Sequence, residues 1–259
     1  MLTAPILPAS FPRAFFVLCA LLFAISAAVT VVGCASMSAM GGMPMPGGWT
    51  MSMAWMRMPG QTWLGVPLSF LAMWIVMMVA MMLPSLSPML WRYRQAVSRT
   101  SEARLACPIA LVGLGYFFVW TLFGMAVFPL GAALAAIEMQ QPALARAVPM
   151  AAATVVLIAG SLQFTAWKAH RLACCREALA HGTPWRYGLS LGLQCGFCCG
   201  NLMAILLVIG VMDLRTMAIV TAAITLERLA PAGQRVARAI GALAVCASLV
   251  LITRAAGLG

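Results

Sequence analysis

Charge is almost excluded from long stretches of this chain. No Asp, Glu, Lys or Arg occurs between Arg13 and Arg57, between Arg57 and Arg92, between Arg104 and Glu138, between Arg146 and Lys168, between Arg186 and Asp213, or between Arg238 and Arg254. Leucine, valine, alanine, methionine and phenylalanine fill these intervals. About 20 such residues in a helix cross the hydrocarbon core of a bilayer. The chain is 64% hydrophobic and only 8% charged, a ratio that suits helical membrane proteins and not soluble folds. The sequence therefore predicts an all-α fold, a polytopic transmembrane helix bundle. Spans are expected at 14–35, 64–90, 108–137, 148–168, 187–211, 215–231 and 237–256. That is seven spans, or six if the first is cleaved. Residues 1–259 read as a single integral membrane domain without an internal repeat, and its longest non-spanning piece is the stretch 36–62.

The net charge of +11 suggests nucleic acid until the basic residues are sorted by loop. On the N-terminal side of the bundle lie Arg13; Arg92, Arg94, Arg99 and Arg104; Lys168, Arg171, Arg176 and Arg186; and Arg228, Arg235 and Arg238. The other side holds Arg57, Arg146, Arg215 and Arg254. This is a positive-inside distribution. It places the chain in a bacterial inner membrane, N-terminus cytoplasmic and the 36–62 loop periplasmic. The partners it implies are lipid and not nucleic acid. Val31-Val32-Gly33-Cys34 is similar to a lipoprotein cleavage site. The apolar run before it exceeds the roughly 7–15 residues of a signal h-region, so an uncleaved first helix is expected.

Eight methionines crowd the outer loop: Met37, Met40, Met43, Met45, Met51, Met53, Met56 and Met58. Gly41, Gly42, Pro44, Pro46, Gly47 and Gly48 exclude a regular helix there. A thioether suits Cu(I), needs no deprotonation and forms no disulfide in an oxidising compartment. The competing reading is an adaptable packing cap. Downstream, MWIVMMVAMMLPSLSPML carries Met73, Met77, Met78, Met81 and Met82. These five spread over about half of a helix circumference, so some are expected on lipid or in plain packing contacts. Pro84 and Pro88 should kink this helix and free carbonyls between Leu83 and Ser87.

The segment after Lys168 reads as an inner loop with His170, Cys174, Cys175, Glu177 and His181, a weak candidate for zinc or copper. GLSLGLQCGFCCGNLM, from Gly188 to Met203, is more specific. With Cys195 set at 0°, Cys199 falls at about 40°, Met203 at about 80° and Cys198 at about −60°. Gly188, Gly192, Gly196 and Gly200 share that side, which lets a neighbouring helix approach closely. Cys195, Cys198, Cys199 and Met203 are therefore candidate soft-metal ligands, against the alternative of a small-residue packing face. Glu227, with Arg228 beside it, is either paired with Lys168 or an inner arginine, or is an acid at the inner end of a cation route.

These strings resemble the signature of an uncharacterised bacterial family of predicted metal-binding integral membrane proteins. The shared patterns are W-x-x-M-M-x-A-M-M-x-P and C-x-x-C-C-x-x-x-M, and the resemblance covers helices two to six. It implies roles for Trp74, Met77, Met78, Met81, Met82, Pro84, Cys195, Cys198, Cys199, Met203, Met212 and Glu227. The family pattern has a histidine where this chain has Leu191, and a cysteine near Arg171. The outer loop is also similar in composition to eukaryotic high-affinity copper transporters.

The expected function is non-enzymatic. The protein binds, and translocates or delivers, a soft metal, Cu(I). The ligands are Met40, Met43, Met45, Met51 and Met53 in the loop, Met77, Met78, Met81 and Met82 in the second helix, and Cys195, Cys198, Cys199 and Met203. Its partners are the lipid bilayer, the metal ion, and a membrane or periplasmic protein or a second copy of itself. No P-loop or phosphorylation-type pump motif is present in the sequence. The rival readings are a structural or assembly subunit of a membrane complex and a membrane thiol-redox protein.

Overall fold

The computed structural model describes residues 10–39, 41–52, 55, 62–97, 106–176 and 182–256. The order is α1 (Ser10–Ala39), β1 (Met43–Met45), β2 (Trp49–Met51), α2 (Gly65–Val97), α3 (Ala106–Gln140), α4 (Pro142–Leu162), α5 (Ala166–Arg176), α6 (Pro184–Ile209), α7 (Leu214–Leu229) and α8 (Gly233–Ala255). Six of these, α1, α2, α3, α4, α6 and α8, are long and apolar enough to cross a membrane, which makes the chain a multi-pass membrane protein. The seventh expected span, 215–231, is α7. At 16 residues it rises about 24 Å, short of a hydrocarbon core of about 30 Å. Two further segments differ from expectation. The inner loop after Lys168 begins as the short helix α5, and part of the methionine loop is an antiparallel hairpin pairing Met43 with Met51 and Met45 with Trp49. Left-handed Gly47 and Gly48 turn the hairpin where side-chain-bearing residues would be strained.

The core lies between α2, α3, α6 and α7. Glycines let α6 and α3 run side by side. A Cβ on Gly192 would stand 2.9 Å from the Tyr116 carbonyl oxygen, and one on Gly115 would stand 2.8 Å from the Trp185 carbonyl oxygen. Gly160 and Gly241 make the equivalent close passage between α4 and α8. Trp74 locks α2 to α3. Its indole Nε1 donates to the Trp120 carbonyl at 2.8 Å, and its ring fills the space that a side chain at Gly124 would need.

The helix α2 continues through both prolines. Pro88 removes the bond that Pro84 O would accept within the helix; the Ser87 hydroxyl replaces it, donating to that carbonyl at 3.3 Å. Met77, Met78, Met81 and Met82 are all buried. The side of α2 that would have met lipid is covered by α1, whose Gly33 lies against Met73 and whose Phe15 and Phe16 rings pack on Trp91.

Candidate functional site

Three thiols from the middle of α6 sit inside this core, and Cys195, Cys198 and Cys199 are essentially inaccessible. Cys195 Sγ and Cys199 Sγ are 3.7 Å apart, one turn from each other. Cys195 Sγ also accepts two hydrogen bonds from other helices. The Tyr116 hydroxyl on α3 donates at 3.0 Å, and Arg228 Nη1 on α7 donates at 3.1 Å. The same guanidinium donates to Ser85 Oγ at 2.9 Å and to Met89 Sδ at 2.9 Å, both on α2. Ser85 is presented there by the proline-bracketed segment and itself donates to the Met82 carbonyl at 3.0 Å. Among the described residues no carboxylate pairs with Arg228. Its two terminal nitrogens reach one hydroxyl and two sulfurs, while Nε is buried without a hydrogen-bond partner among the described residues.

Cys198 neighbours Cys199 on its own helix and, toward α5, Cys175. Cys175 Sγ donates to the Gln194 carbonyl at 3.3 Å, and hydrogen bonding to Cys198 together with burial holds its thiol well above the ordinary cysteine range. The four thiols thus form a chain across α6, from Cys175 through Cys198 and Cys199 to Cys195. Among the described residues no three Cys, His, Asp or Glu side chains gather as a metal-ligand group.

Beside the thiols lies a buried ion pair. Lys168 Nζ of α5 is 2.8 Å from Glu227 Oε2 of α7, and both side chains are 1% exposed. Lys168 also donates to the Cys198 carbonyl at 2.6 Å and to Asn201 Oδ1 at 3.3 Å. Gln163 Nε2 donates to Glu227 Oε1 at 2.7 Å, and Asn201 Nδ2 donates to the Ala159 carbonyl at 3.2 Å. Glu227 is therefore in the pairing with Lys168 that the sequence left open. Its carboxylate is engaged by Gln163, just past the end of α4, and by Lys168 of α5.

The remaining candidates divide into two groups. Met77, Met78, Met81, Met82 and Met203 belong to the same buried cluster as the three thiols. Met45 and Met51 belong to a separate cluster under the hairpin, with Ala135 and Ala145; Trp49 Nε1 pins that cap to the Ala145 carbonyl at 2.8 Å. Met43 is exposed, and Met40 and Met53 lie outside the described residues. On α5, His170 Nε2 and Cys174 Sγ are 3.5 Å apart, away from Cys175, and His181 lies outside the described residues. Leu191, at the position of the family histidine, is buried.

Sequence reasoning missed Tyr116, Ser85, Met89, Gln163 and Asn201. One signal for some of them was available. A Tyr, Asn or Gln inside an apolar span must find a partner there, so Tyr116, Asn201 and Gln163 mark where helices exchange polar contacts.

Fold and site together define a polytopic helical membrane protein with a sulfur-rich core around a buried arginine. Residues 71–251 match the model of the PpoB2 family, described as copper chaperones, and the chain belongs to that family. The matched stretch contains the three thiols of α6, Lys168, Glu227 and Arg228. No curated protein matches the chain, and no solved structure matches it. Membership makes the protein copper-related and leaves open which residues hold the ion.

Proposed function

We propose that this protein carries Cu(I) on Cys195 and Cys199 within the membrane, and that the ion is cargo to be handed on and not a catalytic cofactor. One observation carries the reading. Two sulfurs at 3.7 Å lie beneath a buried guanidinium that has no carboxylate partner among the described residues. A coordinating thiol is deprotonated by its metal. Cu(I) on two thiolates carries one net negative charge, and Arg228 balances it inside a medium where an unbalanced charge is costly. Lys168 and Glu227 already neutralise each other, so they do not compete for that role. Met203 and the α2 methionines supply soft, uncharged thioethers in the same cluster.

The arginine distribution supports an orientation with the hairpin end away from the cytoplasm. Arg13, Arg92, Arg94, Arg171, Arg186, Arg235 and Arg238 all lie at the opposite end, as the alternating helix directions require. In an inner membrane this places the hairpin in the periplasm.

The test is copper per chain after anaerobic loading of the purified protein with Cu(I), in the parent and in C195S/C199S. Copper in the parent and its loss in the variant are expected. An unmetallated parent overturns the proposal. Equal copper in both moves the site to the methionines. A disulfide at Cys195 after mild oxidation would favour a thiol-redox role, and stable co-purifying subunits would favour a structural one.

A further inference from the structure

At the hairpin end a cavity of about 420 Å³ opens between the end of α1, the hairpin and the turn joining α6 to α7. Three thioethers line it from three separate segments: Met37 of α1, Met51 of β2 and Met212 of the turn. Met51 is only 2% exposed, so its sulfur is held within the fold and not displayed on a free loop. Gly210, with φ of 148°, makes the turn that brings Met212 round. The charges on the wall are Asp213 and Arg215. They oppose each other, so the walls hold no strong field for or against a cation. The chemistry that distinguishes this cavity is sulfur. Thioethers select a soft monovalent ion and reject magnesium or calcium, which require oxygen.

We propose that Met37, Met51 and Met212 form a second soft-metal site, where Cu(I) is taken up before it reaches the thiols. The inference rests on copper being the cargo, but it concerns different residues at the other end of α7. Asp213 and Arg228 are fifteen residues apart on that helix, about 22 Å along its axis. Of the loop methionines taken as ligands from sequence, Met51 is the one that belongs to this set among the described residues. Met45 packs against Ala135 and Ala145, and Met43 points outward. Met37 and Met212, which sequence spacing did not single out as ligands, complete it. Thioether ligands suit loading because they need no proton release and stay unoxidised to disulfide outside the cytoplasm.

The experiment is Ag(I) titration of the purified full-length chain, with Ag(I) as the redox-silent probe. Removing the core thiols isolates the cavity, so the reference is C195S/C199S. That variant should retain Ag(I) binding. Adding M37L/M51L/M212L should weaken the remaining binding by about 10-fold or more, since even supporting residues of metal sites cost that much. Leucine keeps volume and apolarity. M212L alone, at the half-buried turn, should give a smaller loss in the same direction and stands if the triple variant fails to fold. Ag(I) binding to C195S/C199S that is indifferent to all these leucines overturns the cavity site. Failure of the core reading looks different: the parent and C195S/C199S then bind equal amounts of Ag(I), whatever the leucines do.

Discussion

Lys168 and Glu227 meet at 2.8 Å between α5 and α7, and both side chains are buried. The pair ties a short helix that does not span the membrane to one that ends the thiol core. Removing one partner leaves a buried charge uncompensated, at a cost of about 3–5 kcal/mol. K168M and E227Q should each lower unfolding stability in detergent by that order. K168M/E227Q should lose clearly less than the sum of the two, and a strictly additive double variant would show that the ion pair contributes no coupling.

Arg228 should control metal affinity more than stability of the fold. R228M removes the charge that balances two metal-bound thiolates, and Cu(I) affinity should fall by about 10- to 100-fold, read by competition with a chromophoric chelator. R228K keeps the charge but cannot reach Ser85, Cys195 and Met89 with one planar fork. It should recover only part of the loss. Equal affinity in R228M and the parent would separate Arg228 from the metal.

Two glycines of α6 should respond oppositely to alanine. At Gly192 the new Cβ would meet the Tyr116 carbonyl at 2.9 Å, and backbone cannot step aside, so G192A should cost about 1–3 kcal/mol. Gly200 has nothing within 4 Å of its Cβ position, and G200A should be neutral or stabilising by up to about 1 kcal/mol through helix propensity. Thermal unfolding of both variants checks the α3–α6 contact directly.

Asp213 caps α7. Its carboxylate accepts from Thr216 Oγ1 at 2.6 Å and from the Arg215 amide at 3.0 Å, and these bonds, the Thr216 hydroxyl foremost, hold its pKa below the ordinary carboxylate value. A depressed carboxyl contributes stability above its unfolded pKa and loses it as pH falls through the folded one. At neutral pH, D213A should lose the cap, about 1 kcal/mol. The gap between parent and variant should close as pH drops below about 4. A gap independent of pH would mean that the carboxylate charge is not what caps the helix.

The helical architecture was legible because charge-free intervals leave a membrane segment no alternative. The thiols of α6 were legible as a cluster because i, i+3 and i+4 share one side of a helix. Their division was not. Cys195 turns to Tyr116 and Arg228, whereas Cys198 turns to Cys175, and only the placement of α3, α5 and α7 decides which sulfur meets which neighbour. Whether the α2 methionines meet lipid or packing was left open for the same reason: a helical wheel counts one helix and cannot show that α1 covers the remaining side. The hairpin was hidden because three-residue strands carry too little alternation to register, and Pro44 and Pro46 read as breakers.

The shortness of α7 has a consequence for solvation. Its first residues line one cavity with Asp213, Leu214 and Arg215, and its last line another, of about 210 Å³, with Arg228 and Leu229. Helices α2 and α3, at 33 and 35 residues, set the thickness the lipid must match, but the apolar wall separating the two recesses is only as long as α7. The dielectric barrier felt by an ion along α7 is therefore thinner than the bilayer around it.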